Sequence, residues 1–379
     1  MESFDVAVVG AGPAGSTTAY RLARAGARVL LIDRARFPRD KPCGGGLTQR
    51  AVRQLPFSVE PVVEQEVDRF AVGFRFETTA ERRSSGGPLV LMTQRRRLDA
   101  YLAEQAAAAG ADFRDGAKVT AIDVDGTVST PTGRARATVV IGADGVNGVA
   151  ARALGMDGNR RHGVALEGNV PYTATTRAEY RGRALAELGT VDGGYSWIFP
   201  KGDHVNVGVG GWEHEGPHLR AYLDRLCAER GIDRAALTEL RGFRLPMRTA
   251  GARASAGRIL LAGDAAGLID PLSGDGMYEA FVSGRIAAET ALEALARGPA
   301  VLGDYDARLD AALGRTLSGS MKAKLAFDRF PRFMYTLVKT RLVWRFFEAF
   351  IRGDVRSTAD ARGAVRAPLR LVEALSRLS

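Results

Sequence analysis

Gly10-x-Gly12-x-x-Gly15 has the spacing at which a backbone turns tightly, lets a pyrophosphate approach and seats a helix against a strand. The run Asp5-Val6-Ala7-Val8-Val9 ahead of it is strand-like, residues 13–26 suit a helix, and residues 27–32 resume strand character and end at Asp33. A helix N-terminus offers amides and partial positive charge to phosphate, and an acid closing the second strand accepts ribose hydroxyls. Gly10, Gly12, Ala14, Gly15, Asp33 and the adjoining Arg34 are therefore the first candidate cofactor-binding residues, for a dinucleotide.

Two further segments decide which dinucleotide. Gly142-Ala-Asp144-Gly145 and Gly263-Asp264-Ala265-Ala266-Gly267 each close an apolar run with an aspartate, at the strand ends where doubly wound folds gather their ligands. A nicotinamide-nucleotide domain needs neither, so the pair points to FAD. Cys43 lies between Pro42 and three glycines, where the backbone can bend closely past a ring; a lone cysteine is more commonly a small buried hydrophobe. Tyr195, Trp197 and Phe199 alternate along a strand-like run and share a face, either as core or as the wall of an apolar channel. Residues 271–276 precede a helical segment, so the amides of Gly274, Asp275 and Gly276 would offer partial positive charge to a flavin edge, unless Ser273 is simply a helix cap. His214-Glu215-Gly216-Pro217-His218 matches the zinc-protease pattern in letters only, because Gly-Pro breaks the helix that chemistry requires. His162 and His204 lack companions at ligand spacing, and no metal site is expected.

The elements that must hold these residues follow from the rest of the chain. Its 379 residues suffice for two or three domains, and 46% hydrophobic with 25% charged content is globular rather than disordered or fibrous. The 2 cysteines, Cys43 and Cys227, lie far apart and no secretory-type leader precedes the first strand, which points to a reducing, cytoplasmic setting. No stretch of about 18 residues is free of charge, so a spanning helix is not expected. Residues 97–110 read as an alanine-rich helix with a glycine stop, 138–142 and 257–264 as buried strands, and 276–297 as a helix. Between them, 164–172, 185–191, 195–199 and 205–212 are strand-like runs separated by Gly, Asp and Pro, as in an antiparallel sheet.

The formal net charge is +10, and residues 319–379 hold thirteen Lys or Arg against five Asp or Glu. Such a bias is a solvated face or basic tail, or a surface for anionic lipid or nucleic acid. Projected as one helix, 335–351 puts Arg341, Arg345 and Glu348 on a narrow stripe continued by Arg352, with Tyr335, Trp344, Phe346, Phe347 and Phe350 in the apolar remainder. That helix must bury most of its circumference, against the sheet-rich domain or in a peripheral contact with the membrane's inner face. Its aromatics do not form a stacking platform, and a nucleic-acid partner is not expected.

Gly142 to Gly145, the segment 258–270, and Arg95 ahead of Leu98-Asp99 resemble the signatures of flavoproteins with the aromatic-hydroxylase type of FAD fold. Lys41-Pro-Cys-Gly-Gly-Gly-Leu47, Tyr195-Ser-Trp-Ile-Phe-Pro200 and Asp270-Pro-Leu-Ser-Gly-Asp-Gly-Met277 narrow the resemblance to the geranylgeranyl reductase family, over residues 1 to about 300. The chain departs from that family's usual pattern at Asp192, where proline is usual, and at Asp275 and Met277, where Glu and Ile are more frequent. The resemblance implies FAD-dependent reduction of carbon–carbon double bonds in a polyprenyl lipid, quinone tail or prenyl diphosphate. An external donor, NAD(P)H or ferredoxin-type, would supply electrons, because only one dinucleotide fingerprint is visible.

By the same resemblance Asp264 would bind the ribityl chain and Arg95 the pyrophosphate side. Cys43, Gly44, Asp144, Gly145, Pro271, Gly274, Gly276 and Met277 complete the cofactor set, and Cys43, Tyr195 and Trp197 are the candidate catalytic residues. A thiol of pKa about 8.5 is too weak to protonate an isolated alkene unaided, so positioning is the more modest role for Cys43. The rival readings are a flavin-dependent aromatic monooxygenase or halogenase, and a flavin electron carrier.

The expected fold is α/β, a Rossmann-like FAD-binding domain (1–55, 90–155, 250–298) with an inserted antiparallel-sheet substrate domain (56–89, 156–249) and a basic helical C-terminal region (299–379). The oligomeric state is left open.

Overall fold

The computed structural model describes residues 1–156, 160–175, 180–249 and 251–355, with 372 and 374–376; the rest of the expected C-terminal region lies outside the described residues. Apolar runs such as Val6–Val9 and Val29–Ile32 are buried on both faces, as strands covered by helices must be. They lie in a sheet ordered Ser255–Ala256, Ile259–Leu261, Gly133–Gly142, Glu2–Val9, Val29–Ile32, Asp112–Arg114. The four longest-range pairings in it are parallel, and Val9 stands level with Ile32 and Gly142, which stands level with Leu261. Three loops therefore leave one edge of the sheet together: Gly10–Gly12, Ala143–Asp144, and the turn Gly263–Ala266. Helices Pro13–Arg24, Arg95–Ala108 and Met277–Arg297 follow these or neighbouring strands, within a residue or two of the expected starts at 13, 97 and 276.

The second sheet runs Thr238–Arg248, Arg160–Pro171, His204–Trp212, Tyr195–Pro200, Arg183–Leu188, Arg69–Phe74, Thr78–Arg83. All its pairings are antiparallel except Arg183–Leu188 with Arg69–Phe74, which is parallel. The runs expected to form an antiparallel sheet do pair antiparallel, and the one parallel contact is added by residues 69–83, which reach the sheet on a separate excursion of the chain, so their direction is not set by a hairpin. Leu219, Leu223, Leu226 and Cys227 of the helix Leu219–Arg230 cover one face. A small sheet of Gly46–Thr48, Val90–Thr93 and Val63–Val67 carries the end of the Cys43 loop.

The single helix expected over 335–351 is two helices, Pro331–Val338 and Arg341–Arg352. Thr340 takes an extended backbone and its Oγ1 accepts the Val343 N–H at 3.3 Å, a helix start that competes with continuation through Lys339. Trp344 and Phe347 pack on Phe70 of the second sheet, and Phe350 lies over the Arg50 guanidinium. No helix among the described residues is long and apolar enough to cross a membrane.

Candidate active site

The glycine turn is forced by its neighbours. Gly10 has φ +101°, and a Cβ there would stand 2.3 Å from the carbonyl oxygen of Ala143, so the first and second signature loops touch backbone to backbone. Asp33 closes the second strand, accepting the N–H of Ala11 at 2.8 Å and that of Ala35 at 2.9 Å. Arg34 beside it is exposed. Gly12 caps the first helix with no side-chain partner, and Ala14 packs in the crossing of that helix with Met277–Arg297, close to Gly263.

Arg95 is buried and forms a two-point ion pair with Asp99, at 2.6 and 2.7 Å. Burial pulls its guanidinium down, but Asp99 outweighs this and pushes it up, so Arg95 stays charged. Arg39, which sequence reasoning passed over, binds the same Asp99 at 2.8 Å and approaches Asp33 at 3.8 Å. A Cβ at Gly12 would face Nη2 of Arg39 at 3.7 Å and of Arg95 at 4.0 Å. An uncapped helix N-terminus and two guanidinium groups thus meet at one glycine, a donor set that fits the diphosphate of FAD.

Asp264 lies in the turn after the strand Ile259–Leu261 and pairs with Lys41 at 2.8 Å. Burial raises its carboxyl, but Lys41, with Arg95 and Arg160, outweighs that and holds it below the ordinary range. Asp144 turns inward instead, accepting the N–H groups of Val149 at 2.6 Å and Ala150 at 3.0 Å. Its carboxylate shapes the loop through Gly145, and burial raises its pKa against those two donors.

The loop from Pro271 to Gly276 is held by Asp270, whose Oδ1 accepts from the Ser273 N–H at 2.9 Å and the Ser273 hydroxyl at 2.8 Å. Ser273 therefore belongs to the turn, and Gly276, without a side-chain bond, is the N-cap of the helix that opens at Met277. Asp275 accepts the Met277 N–H at 2.9 Å. The second oxygen of Asp270 is buried without a hydrogen-bond partner.

Tyr195, Trp197 and Phe199 form a continuous row, with ring centroids 5.8 and 6.2 Å apart. Trp197 donates its indole N–H to Asn206 Oδ1 at 2.8 Å, and its ring crosses Gly208, where a Cβ would lie 2.2 Å from Cζ2. At one end of the row Tyr195 donates its hydroxyl to the Ser273 carbonyl. At the other, a Cβ at Gly44 would fall 2.8 Å from the Phe199 ring, so the Cys43 loop lies on that ring. The row spans from one signature loop to the other.

Two buried charges behind Cys43 carry no sequence motif. Lys201 donates to the carbonyls of Gly44 at 2.6 Å and Thr93 at 2.7 Å, and burial lowers its pKa. Glu167 accepts the Cys43 N–H at 2.5 Å, while Cys43 Sγ accepts the Gly45 N–H at 3.4 Å. Cys43, Glu167, Lys201 and Asn206 line one cavity of about 110 Å³. Elsewhere, ligand-type atoms of Asp192, His214 and Glu215 lie within 4.8 Å of one another. Buried Glu215 is engaged by the Tyr222 hydroxyl at 2.9 Å and by His214 and His218 at 3.5 and 3.4 Å.

Residues 3–308 match the FAD binding domain family. The chain is 34% identical over 369 residues to a menaquinone reductase of Mycobacterium tuberculosis, covering 88% of this chain and 86% of that one. It is 31% identical to a digeranylgeranylglycerophospholipid reductase of Methanothermobacter thermautotrophicus, covering 86% and 88% of the two chains. The crystal structure of a geranylgeranyl bacteriochlorophyll reductase-like protein from Thermoplasma acidophilum superposes with a TM-score of 0.78 at 26% identity, covering 86% of this chain and 88% of that one. With the signature loops gathered at one sheet edge and this breadth of similarity, the chain belongs to the geranylgeranyl reductase family of FAD-binding flavoproteins.

Proposed function

We propose that this protein reduces carbon–carbon double bonds of a polyprenyl chain, in a lipid, a quinone tail or a prenyl diphosphate. The observation that carries the reading is the aromatic row of Tyr195, Trp197 and Phe199, which touches the Ser273 loop at one end and the Gly44 loop at the other. A wall of three rings between two cofactor loops suits an isoprene chain, which has no polar handle and is held by shape and burial.

Gly10–Gly15, Asp33, Arg39, Arg95 and Asp264 would hold FAD, which when bound would supply the hydride. The chain's own part is to hold and orient. Arg95 and Arg39 neutralise the diphosphate, and Lys201 fixes the Gly44 carbonyl so that the Cys43 loop keeps its curve. The uncapped helix start at Gly276 favours negative charge on the cofactor's edge, whereas the expected loop amides are used within the loop, Gly274 N–H on the Asp270 carbonyl at 2.9 Å and Asp275 N–H on Ser273 Oγ at 3.3 Å. Tyr195 and Trp197 exclude water from the alkene, protecting a cation-like transition state.

In this reading residues 1–55, 90–155 and 250–298 hold the cofactor, and 56–89 with 156–249 hold the substrate. A nicotinamide or ferredoxin-type donor would supply the electrons from outside. The exposed basic residues Arg329, Arg332, Lys339, Arg341 and Arg345, with exposed Phe333, rest the C-terminal helices on an anionic membrane surface where the substrate resides. Mass spectrometry of lipids from cells with and without the protein tests the function: one prenyl lipid should be lighter by steps of two hydrogens when the protein is absent, and identical lipid profiles would refute it.

A further inference from the structure

We propose that Glu167 holds the proton the reduction consumes and passes it to the Cys43 thiol. The inference rests on the double-bond reduction above and names the residue behind its proton. A hydride alone leaves an alkene carbon one proton short, and a thiol by itself is a weak acid for that task. In the balanced sequence, the Cys43 S–H bond breaks as a C–H bond forms on one alkene carbon and the Glu167 O–H bond breaks as the S–H bond is remade in the same step, while the hydride forms the bond to the other carbon. The Glu167 carboxylate left behind regains its proton from bulk solvent, which supplies the one proton the reduction consumes.

The geometry carries this assignment. Glu167 is 5% exposed and bonds the Cys43 main chain directly, and both residues line the same cavity. One carboxyl oxygen is satisfied by the Cys43 N–H, whereas the other, Oε2, is buried with no well-formed hydrogen bond, the Asn206 side chain being its polar neighbour. An ionised oxygen left so would bear its full desolvation cost, while a protonated one remains free to donate. The Gly45 N–H on Cys43 Sγ, and the buried Lys201 nearby, would stabilise negative charge building on the sulfur as the protons move.

Charged groups face Glu167 from four sides of the cavity: Asp40 and Lys41 from the Cys43 loop, Arg95 and Arg96 from the helix start, Lys201 and His204 from the turn after Pro200, and Glu239 and Arg241 from the edge strand. Asp40 is neutralised by Arg241 at 2.8 Å, which leaves Lys201 as the main charge favouring the carboxylate. Burial nevertheless outweighs the Cys43 N–H, Lys201 and the Asn206 side chain and brings the carboxyl up to about 7, so it is protonated in part at neutral pH.

Glu167→Gln keeps the acceptor for the Cys43 N–H and removes the proton. In the FAD-loaded protein, kcat should fall by about 10- to 100-fold with KM nearly unchanged, and the limb of the rate profile near pH 7 should vanish. Glu167→Asp should restore part of both. Two readouts need no turnover. A protonated-carboxyl infrared band should titrate near pH 7 and be absent in Glu167→Gln. Alkylation of Cys43 in a Cys227→Ser background should shift to lower pH in Glu167→Gln, because the facing carboxylate is gone. An unchanged kcat, or a missing infrared band with an unshifted alkylation profile, overturns the proposal. If the band and the shift are present but the wild-type protein reduces no prenyl chain, the function fails while the Glu167–Cys43 coupling stands, and Glu167 then serves another proton acceptor.

Discussion

Lys41 Nζ and Asp264 Oδ2 lie 2.8 Å apart although 223 residues separate them in sequence. The pair ties the Cys43 loop to the turn at the end of the strand Ile259–Leu261, the turn expected to hold the ribityl chain.

Removing that carboxylate should loosen the cofactor. Asp264→Ala loses a hydroxyl acceptor and leaves Lys41 unpaired, and a charge-assisted hydrogen bond is worth about 1.5–3 kcal/mol. FAD affinity, measured by quenching of flavin fluorescence, should weaken by about 10- to 100-fold. Lys41→Ala should have a smaller effect, since it removes only the partner.

Trp197 depends on a residue with no side chain. A Cβ at position 208 would stand 2.2 Å from the indole, inside any permitted contact, so Gly208→Ala must tilt the ring away from Asn206. Thermal unfolding should show a loss of about 1–3 kcal/mol, with a red-shifted tryptophan emission.

Lys201 should be the costliest of the polar residues to lose. Its ammonium is buried and satisfies the carbonyls of Gly44 and Thr93. Lys201→Met leaves both oxygens without that donor and removes the cation facing Glu167, and denaturant unfolding should show a loss of about 2–5 kcal/mol.

Stability should also carry the signature of Glu167. Its pKa is raised from 4.5 to about 7, so the fold favours the neutral form: the contribution is fully present below pH 4.5 and is lost as pH rises through about 7. Between pH 5 and pH 8 the protein should lose up to about 3 kcal/mol from this group, and Glu167→Gln should remove that slope. Asp264, held below its ordinary value, acts in the opposite sense and withdraws stability only as the solution becomes strongly acidic.

Local pattern was enough to read the elements that position the cofactor. The strand Glu2–Val9, the helix from Pro13, the strand ending at Ile32 and the aromatic strand Tyr195–Pro200 all announce themselves by period and by glycine. Glu167 and Lys201 do not, because their roles exist only where a strand interior and a turn meet the Cys43 loop. Glu167 lies among Val164, Ala165 and Leu166 and reads as an outward-facing strand residue. Arg39 was hidden in the same way, since its partners Asp33 and Asp99 are brought together only by the packing of the sheet edge on the helix Arg95–Ala108. The break at Thr340 was missed because the apolar stripe runs across it, and periodicity does not register a cap inside a continuous pattern.

The most direct test is turnover by the purified, FAD-loaded protein under strict exclusion of dioxygen, with chemically reduced cofactor and a geranylgeranyl lipid in detergent. Product should be heavier than substrate by two hydrogens for each double bond reduced, with no oxygen or halogen gained. A product that forms only when dioxygen is admitted and carries a new oxygen atom, or cofactor that reoxidises while the lipid mass stays unchanged, would contradict it.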